Sequence, residues 1–184
     1  MVIVYKLVAA TLMALAHPSG NGDPSKVKPL EMVQGHDTLI DFPMVRMIQN
    51  DKDWSDLWVL HKGVPSVSGS TGTIVNAEAR SAPKVDFQKN QVLVVFGGHN
   101  WSVQAYDYVK TDVRGKEAVI QLAHNMFAPS APAVDMCPFI MLVLPREKVA
   151  ISVELDTPNK DGTHYWNPIA KFPVPTEAKK SSDN

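Results

Sequence analysis

Gln91-Val92-Leu93-Val94-Val95-Phe96 (residues 91–96, QVLVVF) is a continuous β-branched and apolar run after its leading glutamine, bounded by Asn90 on one side and by Gly97-Gly98 on the other. Side chains alternate across a strand, so a run with no polar interruption must be covered on both faces. It is therefore read as the central strand, and the rest of the chain has to supply two layers around it. Downstream, Ser102–Val109, the Arg114-Gly115 turn and Glu117–Ala123 read as a hairpin. Tyr106 and Tyr108 share one face of its first strand, and Ala118, Ile120 and Leu122 share one face of its second. Phe139–Leu144 (FIMLVL) is another run of the buried type. Val149, Ile151, Val153 and Leu155 then alternate with Ala150, Ser152 and Glu154, the period of a half-exposed strand. A turn at Pro158–Gly162 leads to a short partner strand at Thr163–Asn167.

Upstream, Thr38–Ile48 alternates loosely around Pro43, which places it at a sheet edge. Asn50 is an N-cap followed by Asp51 and Asp53, where a helix dipole favours negative charge. A helix is predicted over 51–61, with Trp54, Leu57, Trp58 and His61 at i, i+3, i+4 and i+7, stopped by Gly63 and Pro65. Residues 64–84 are a Ser-, Gly- and Ala-rich connection with a short strand at Thr73–Asn76. The expected fold is mainly β: a single antiparallel β domain, sandwich or barrel-like, with one helix near 51–61 packed on it.

Four segments are expected along the 184 residues. Residues 1–16 end in the run Leu7–Ala16 (LVAATLMALA), with Ala14 and Ala16 at the −3 and −1 positions of an A-x-A cleavage site, and read as a signal peptide. Residues 17–37 are Pro-, Gly- and Ser-rich and read as a flexible arm, residues 38–175 as a single β-rich domain, and the polar 176–184 as a disordered tail. The product is expected to be secreted or periplasmic, without membrane insertion after cleavage. Eighteen basic residues against 19 acidic ones give a net charge of −1, and loss of Lys6 makes it −2. That balance supplies no basic excess for nucleic acid. A single cysteine, Cys137, excludes an internal disulfide framework.

W-x-x-L-W at Trp54–Trp58, V-D-F-x-K-x-x-V-L-V-V-F-x-G at Val85–Gly98 and P-F-I-M-L-V-L-P-R at Pro138–Arg146 occur in that order, around a hairpin. Together they resemble the C-terminal domain of the PrcB family, named for a subunit associated with a secreted protease complex, over about half of the chain. The resemblance implies a small, exported, β-rich domain that binds or stabilises a protein partner, without catalytic residues or cofactor. The chain departs from the family where a Thr-Gly-Gly-Tyr turn is usual: Gln104 and Ala105 replace the glycines, and only Tyr106 matches.

Catalytic motifs are weak. Gly69-Ser70-Thr71-Gly72 lies in a serine-rich loop rather than on a strand-to-helix elbow, and no Gly-Lys-Ser/Thr phosphate loop occurs. Cys137, between Met136 and Pro138, reads as a buried structural thiol. The loop Asp156–Gly162 lacks the spacing of a calcium loop. None of the six histidines stands at H-x-H or H-x-x-x-H spacing, so no metal and no cofactor are expected. The alternative is an extracytoplasmic copper- or small-molecule-binding protein. In it His17, exposed as a new N-terminus, would chelate through amine and imidazole, joined by His99 or His124.

The leading expectation is a non-enzymatic domain that binds a protein partner, a protease or an envelope protein, through Gly97, Gly98, His99, Trp101 and Tyr106. Two glycines free the backbone there, and His99 and Trp101 exceed what a structural turn requires. Asn100-Trp101-Ser102 also forms an N-x-S glycosylation sequon. N-terminal sequencing of exported material should begin at or near His17; intact Met1 in the soluble fraction would contradict the export reading.

Overall fold

A computed structural model describes residues 22–63, 66–68, 73–75, 82–126, 135–158 and 163–174. In chain order the elements are a 3-10 turn (Pro24–Lys26), β1 (Glu31–Gly35), β2 (Pro43–Ile48), α1 (Asp51–Lys62), β3 (Ser66–Ser68), β4 (Thr73–Val75) and β5 (Asn90–Gly97). The hairpin β6 (Val103–Arg114) and β7 (Glu117–Met126) follows, then β8 (Phe139–Pro145), β9 (Ala150–Pro158) and β10 (His164–Phe172). One antiparallel sheet runs β1-β8-β5-β2 and a second runs β10-β9-β7-β6, while β3 and β4 form a small separate ladder. The fold is thus mainly β, two stacked sheets rather than a closed barrel, with α1 on the outer face of the first sheet.

The QVLVVF strand takes the place expected of it. β5 lies between β8 and β2, pairing Val94 with Met141 on one side and with Arg46 on the other. Its odd-numbered residues Leu93 and Val95 join Ile140, Leu142 and Leu144 of β8 in the core between the sheets, against Ala118, Ile120 and Leu122 of β7 and Ile151 and Val153 of β9. Its even-numbered residues Val92, Val94 and Phe96 join Phe139 and Met141 beneath α1. Every second methyl-bearing side chain thus serves a different core.

Two details depart from the sequence reading. One ladder, β7 with β9, is parallel. Parallel neighbours need a long crossover, and here the chain crosses through β8 in the opposite sheet between them. The second departure is the segment read as a flexible arm. Within it Val27 is fully buried in the inter-sheet core, the Leu30 amide donates to the Val143 carbonyl at 2.8 Å, and β1 pairs with β8 from Glu31↔Val143 to Gly35↔Phe139. As an edge strand β1 is held by backbone pairing, and its side chains, exposed from Glu31 to Gln34, carry no period to read. The signal segment, His17 and the tail lie outside the described residues.

The helix forms as its sequence dictates. Asn50 caps it by accepting from the Asp53 amide at 2.8 Å, and Gly63, at φ +82°, ends it with its amide donating to the Val59 carbonyl. All four stripe residues, Trp54, Leu57, Trp58 and His61, are buried. The Trp54 indole donates to the Pro83 carbonyl at 2.8 Å, tying the irregular stretch before β5 to the helix. Trp54 and Trp58 pack with ring centres 5.5 Å apart. On the far side of the molecule, the expected half-exposed strand β9 carries Glu154, which is buried because Arg114 forks onto its carboxylate and Gln121 donates to it. Trp58→Ala should cost about 3–5 kcal/mol in chemical denaturation, and Leu60→Ala on the exposed face about 0.5 kcal/mol or less. Equal small losses would mean that α1 does not cover the sheet.

Candidate functional site

The five residues proposed as a partner surface lie at the end of β5 and in the connection to β6, and the structure divides them between two environments. Gly97 closes the strand, its amide donating to the Pro138 carbonyl at 2.8 Å. A Cβ at this position would overlap the Tyr106 hydroxyl and come within 2.9 Å of Pro138 Cγ, so glycine is required by close approach and not by its dihedral angles. Gly98 differs: its φ of +68° lies in the left-handed region, and it turns the chain against Pro43 of β2.

Beyond the turn the backbone is pinned. Asn100 and Met136 exchange both backbone hydrogen bonds, at 2.8 and 3.0 Å, and the Asn100 side-chain oxygen accepts from the amides of Ser102 and Val103. Asn100, read as a sequon residue, therefore organises the loop through its own side chain. His99 stands between two carboxylates, with Nδ1 3.0 Å from Asp135 and Nε2 3.9 Å from Asp41. Between these fixed points Trp101 is 61% exposed.

Tyr106 takes no part in that exposed group. It is 4% exposed, its ring packs 5.6 Å from that of His124, and burial raises its phenol above the usual range. With Gly97 it lines a cleft of about 410 Å³ between the edge strands β2 and β10, walled by Pro43, Val45 and Ile169. Gly97 and Tyr106 thus set the floor and backbone position of the loop, while His99 and Trp101 face solvent.

The histidines of the copper reading are not brought together. His99 is directed at Asp135 and Asp41, whereas His124 Nδ1 donates to the Asp156 carbonyl at 2.9 Å. Among the described residues no group of three His, Cys, Asp or Glu side chains is placed to hold a metal, and His17 lies outside them. Cys137 is partly buried, and burial, aided by Asp135 and Asp41, pushes its thiol up, the direction of an unreactive sulfur. The Gly69–Gly72 string and most of the Asp156–Gly162 loop lie outside the described residues. Family models, curated proteins and solved structures give no match to this chain. Among the described residues no helix is long and apolar enough to cross a membrane.

Asp41, Asp135 and the cleft were missed in the sequence, because each depends on pairing between distant segments. The local signal that does survive is the glycine pair followed by an unexplained tryptophan. Gly97→Ala should destabilise the protein by about 1–3 kcal/mol through overlap with Tyr106. Combining it with Tyr106→Phe removes the hydroxyl and should recover part of that loss in thermal or urea melts; strict additivity would show that the two groups do not collide.

Proposed function

We propose that the chain is an exported, non-enzymatic domain that binds a protein partner through the Gly97–Tyr106 segment, with Trp101 as its anchor. The observation that supports this reading is a tryptophan 61% exposed on a loop whose backbone is tied down on both sides of it. An indole in water is an unfavourable way to end a strand connection, and a rigid one loses little further conformational freedom on binding. Tryptophan is also the residue most enriched among interface hot spots. His99, with Asp41 and Asp135, gives the anchor a polar rim, the usual surrounding of such a contact.

The resemblance of Trp54–Trp58, Val85–Gly98 and Pro138–Arg146 to the PrcB family points toward a secreted protease or an envelope protein as the partner, and the segment Met1–Ala16 supports export. The test is affinity capture from the native host with the wild-type and Trp101→Ala proteins, followed by direct titration of the captured partner. Trp101→Ala should weaken that complex about thirtyfold, the loss of ~2 kcal/mol expected of a hot spot, with a melting temperature nearly unchanged. A large loss of stability with binding intact would place the functional surface elsewhere.

A further inference from the structure

The layer between α1 and the first sheet holds a titratable group in an otherwise apolar, aromatic setting. His61, in the last turn of α1, is completely buried, and neither ring nitrogen has a hydrogen-bond partner among the described residues. Its ring stands edge-on in an aromatic cage, with centres 5.2 Å from Trp58, 5.8 Å from Phe96 and 4.5 Å from Phe139. The Trp58 indole nitrogen beside it is also buried without a partner.

The same turn anchors the chain ahead of β2. The His61 carbonyl accepts from the Leu39 amide at 2.9 Å, and Lys62 Nζ lies 2.6 Å from the Asp37 carboxylate. Residues 37–40 and the end of α1 therefore form one unit, with Ile40 packed in the same apolar layer. We propose that this unit is an acid-released cover: a proton on His61 frees α1 and residues 37–40 from the first sheet, exposing the face formed by Val92, Val94, Phe96, Phe139 and Met141 while the two-sheet core stays assembled.

The charges around the ring are few. α1 contributes Lys62, which opposes a second positive charge, and the preceding segment contributes Asp37, which favours one; β5 and β8 present only Phe96 and Phe139. Burial, reinforced by Lys62, lowers the imidazole from 6.5 to about 4. Desolvation raises the Asp37 carboxyl, but its hydrogen bond and charge attraction to Lys62, with a backbone hydrogen bond, together hold it below its ordinary range. The ring is thus neutral when covered and takes its proton near 6.5 when released, so acid favours release. Full cover is kept above pH 6.5 and is lost progressively as the pH falls toward 4. Between pH 8 and pH 4.5 the opening equilibrium should rise roughly 80-fold by this linkage.

Hydrogen exchange on the full chain tests the idea, with protection factors measured at both pH values for α1 and for β7, which lies in the other sheet. The expected result is a loss of about 80-fold for the α1 amides, whose protection at pH 4.5 falls well below that of β7 because α1 opens without the two-sheet core. His61→Leu, which keeps an apolar side chain in the cage and cannot titrate, should abolish the pH dependence. Unchanged α1 protection, α1 and β7 amides equally protected at pH 4.5, or the same acid response in His61→Leu would each overturn the proposal. Should His61→Leu fail to fold, the wild-type comparison of α1 with β7 decides alone.

Discussion

The pairing of β5 with β8, from Asn90↔Pro145 to Phe96↔Phe139, is the constraint from which the remaining architecture follows. Apart from Gln91, both strands are apolar along their buried length, so their ladder needs cover on two sides at once. The hairpin β6–β7 and strand β9 supply one cover as a second sheet, and α1 supplies the other. The two covers differ in character. The inter-sheet side is almost wholly aliphatic, with Tyr106 the one aromatic ring in its fully buried set, whereas the helix side is built from Trp54, Trp58, Phe87, Phe96 and Phe139 with His61 among them. Flat rings fill the gap beneath one narrow helix more readily than branched aliphatics, and they tolerate an imidazole at their edges.

That asymmetry also locates the loop after β5. Gly97 is the last residue of the central ladder, and its lack of a side chain lets the Tyr106 phenol close the end of the inter-sheet core. Pro138, directly before β8, holds Gly97 by its carbonyl, and two residues earlier Met136 holds Asn100. The loop is therefore an extension of the β5–β8 ladder, continued past the sheet by three backbone hydrogen bonds. A side chain displayed from it inherits the rigidity of the core, which is the physical meaning of a preorganised contact.

Much of this is legible in the residues, for reasons that differ by element. The pairing partners of β5 are not local, yet the unbroken apolar residues 92–96 and 139–144 reveal their two-sided burial. α1 announces itself at both ends, by Asn50 with its acidic first turn and by Gly63. β1 is silent because an edge strand with exposed side chains leaves only backbone evidence, and the parallel β7–β9 pairing is silent because direction is set by the crossover rather than by either strand. At the candidate site the glycines and Trp101 are readable, but the inward turn of Tyr106 is not: alternation along β6 cannot tell which face meets the other sheet, and register shifts between Val103 and Ala105 and between Tyr108 and Lys110 break the count. His61 stood on the helical stripe from the start; that its nitrogens lack partners is a property of the cage and not of the stripe.

The edges of the two sheets bear on how such a domain can meet another protein. A free strand edge is a template for backbone pairing; of the four edges of the two sheets three are interrupted and the fourth is short. β2 begins with Pro43, which offers no amide hydrogen, and carries the exposed Arg46; β10 contains Pro168, an irregular register between Pro168 and Ala170, and the exposed Lys171. β6 has two register shifts and exposed Lys110, and β1 is only five residues long. Strand addition along β2, β10 or β6 would sacrifice hydrogen bonds at the interruptions, and β1 offers only a short ladder. Recognition by a protruding side chain carries no such cost, because the loop after Gly97 already has its backbone hydrogen bonds satisfied through Pro138 and Met136. The interruptions on β2, β10 and β6 thus weigh against strand addition there, and among the described residues the loop after Gly97 displays its exposed Trp101 from a backbone already hydrogen-bonded.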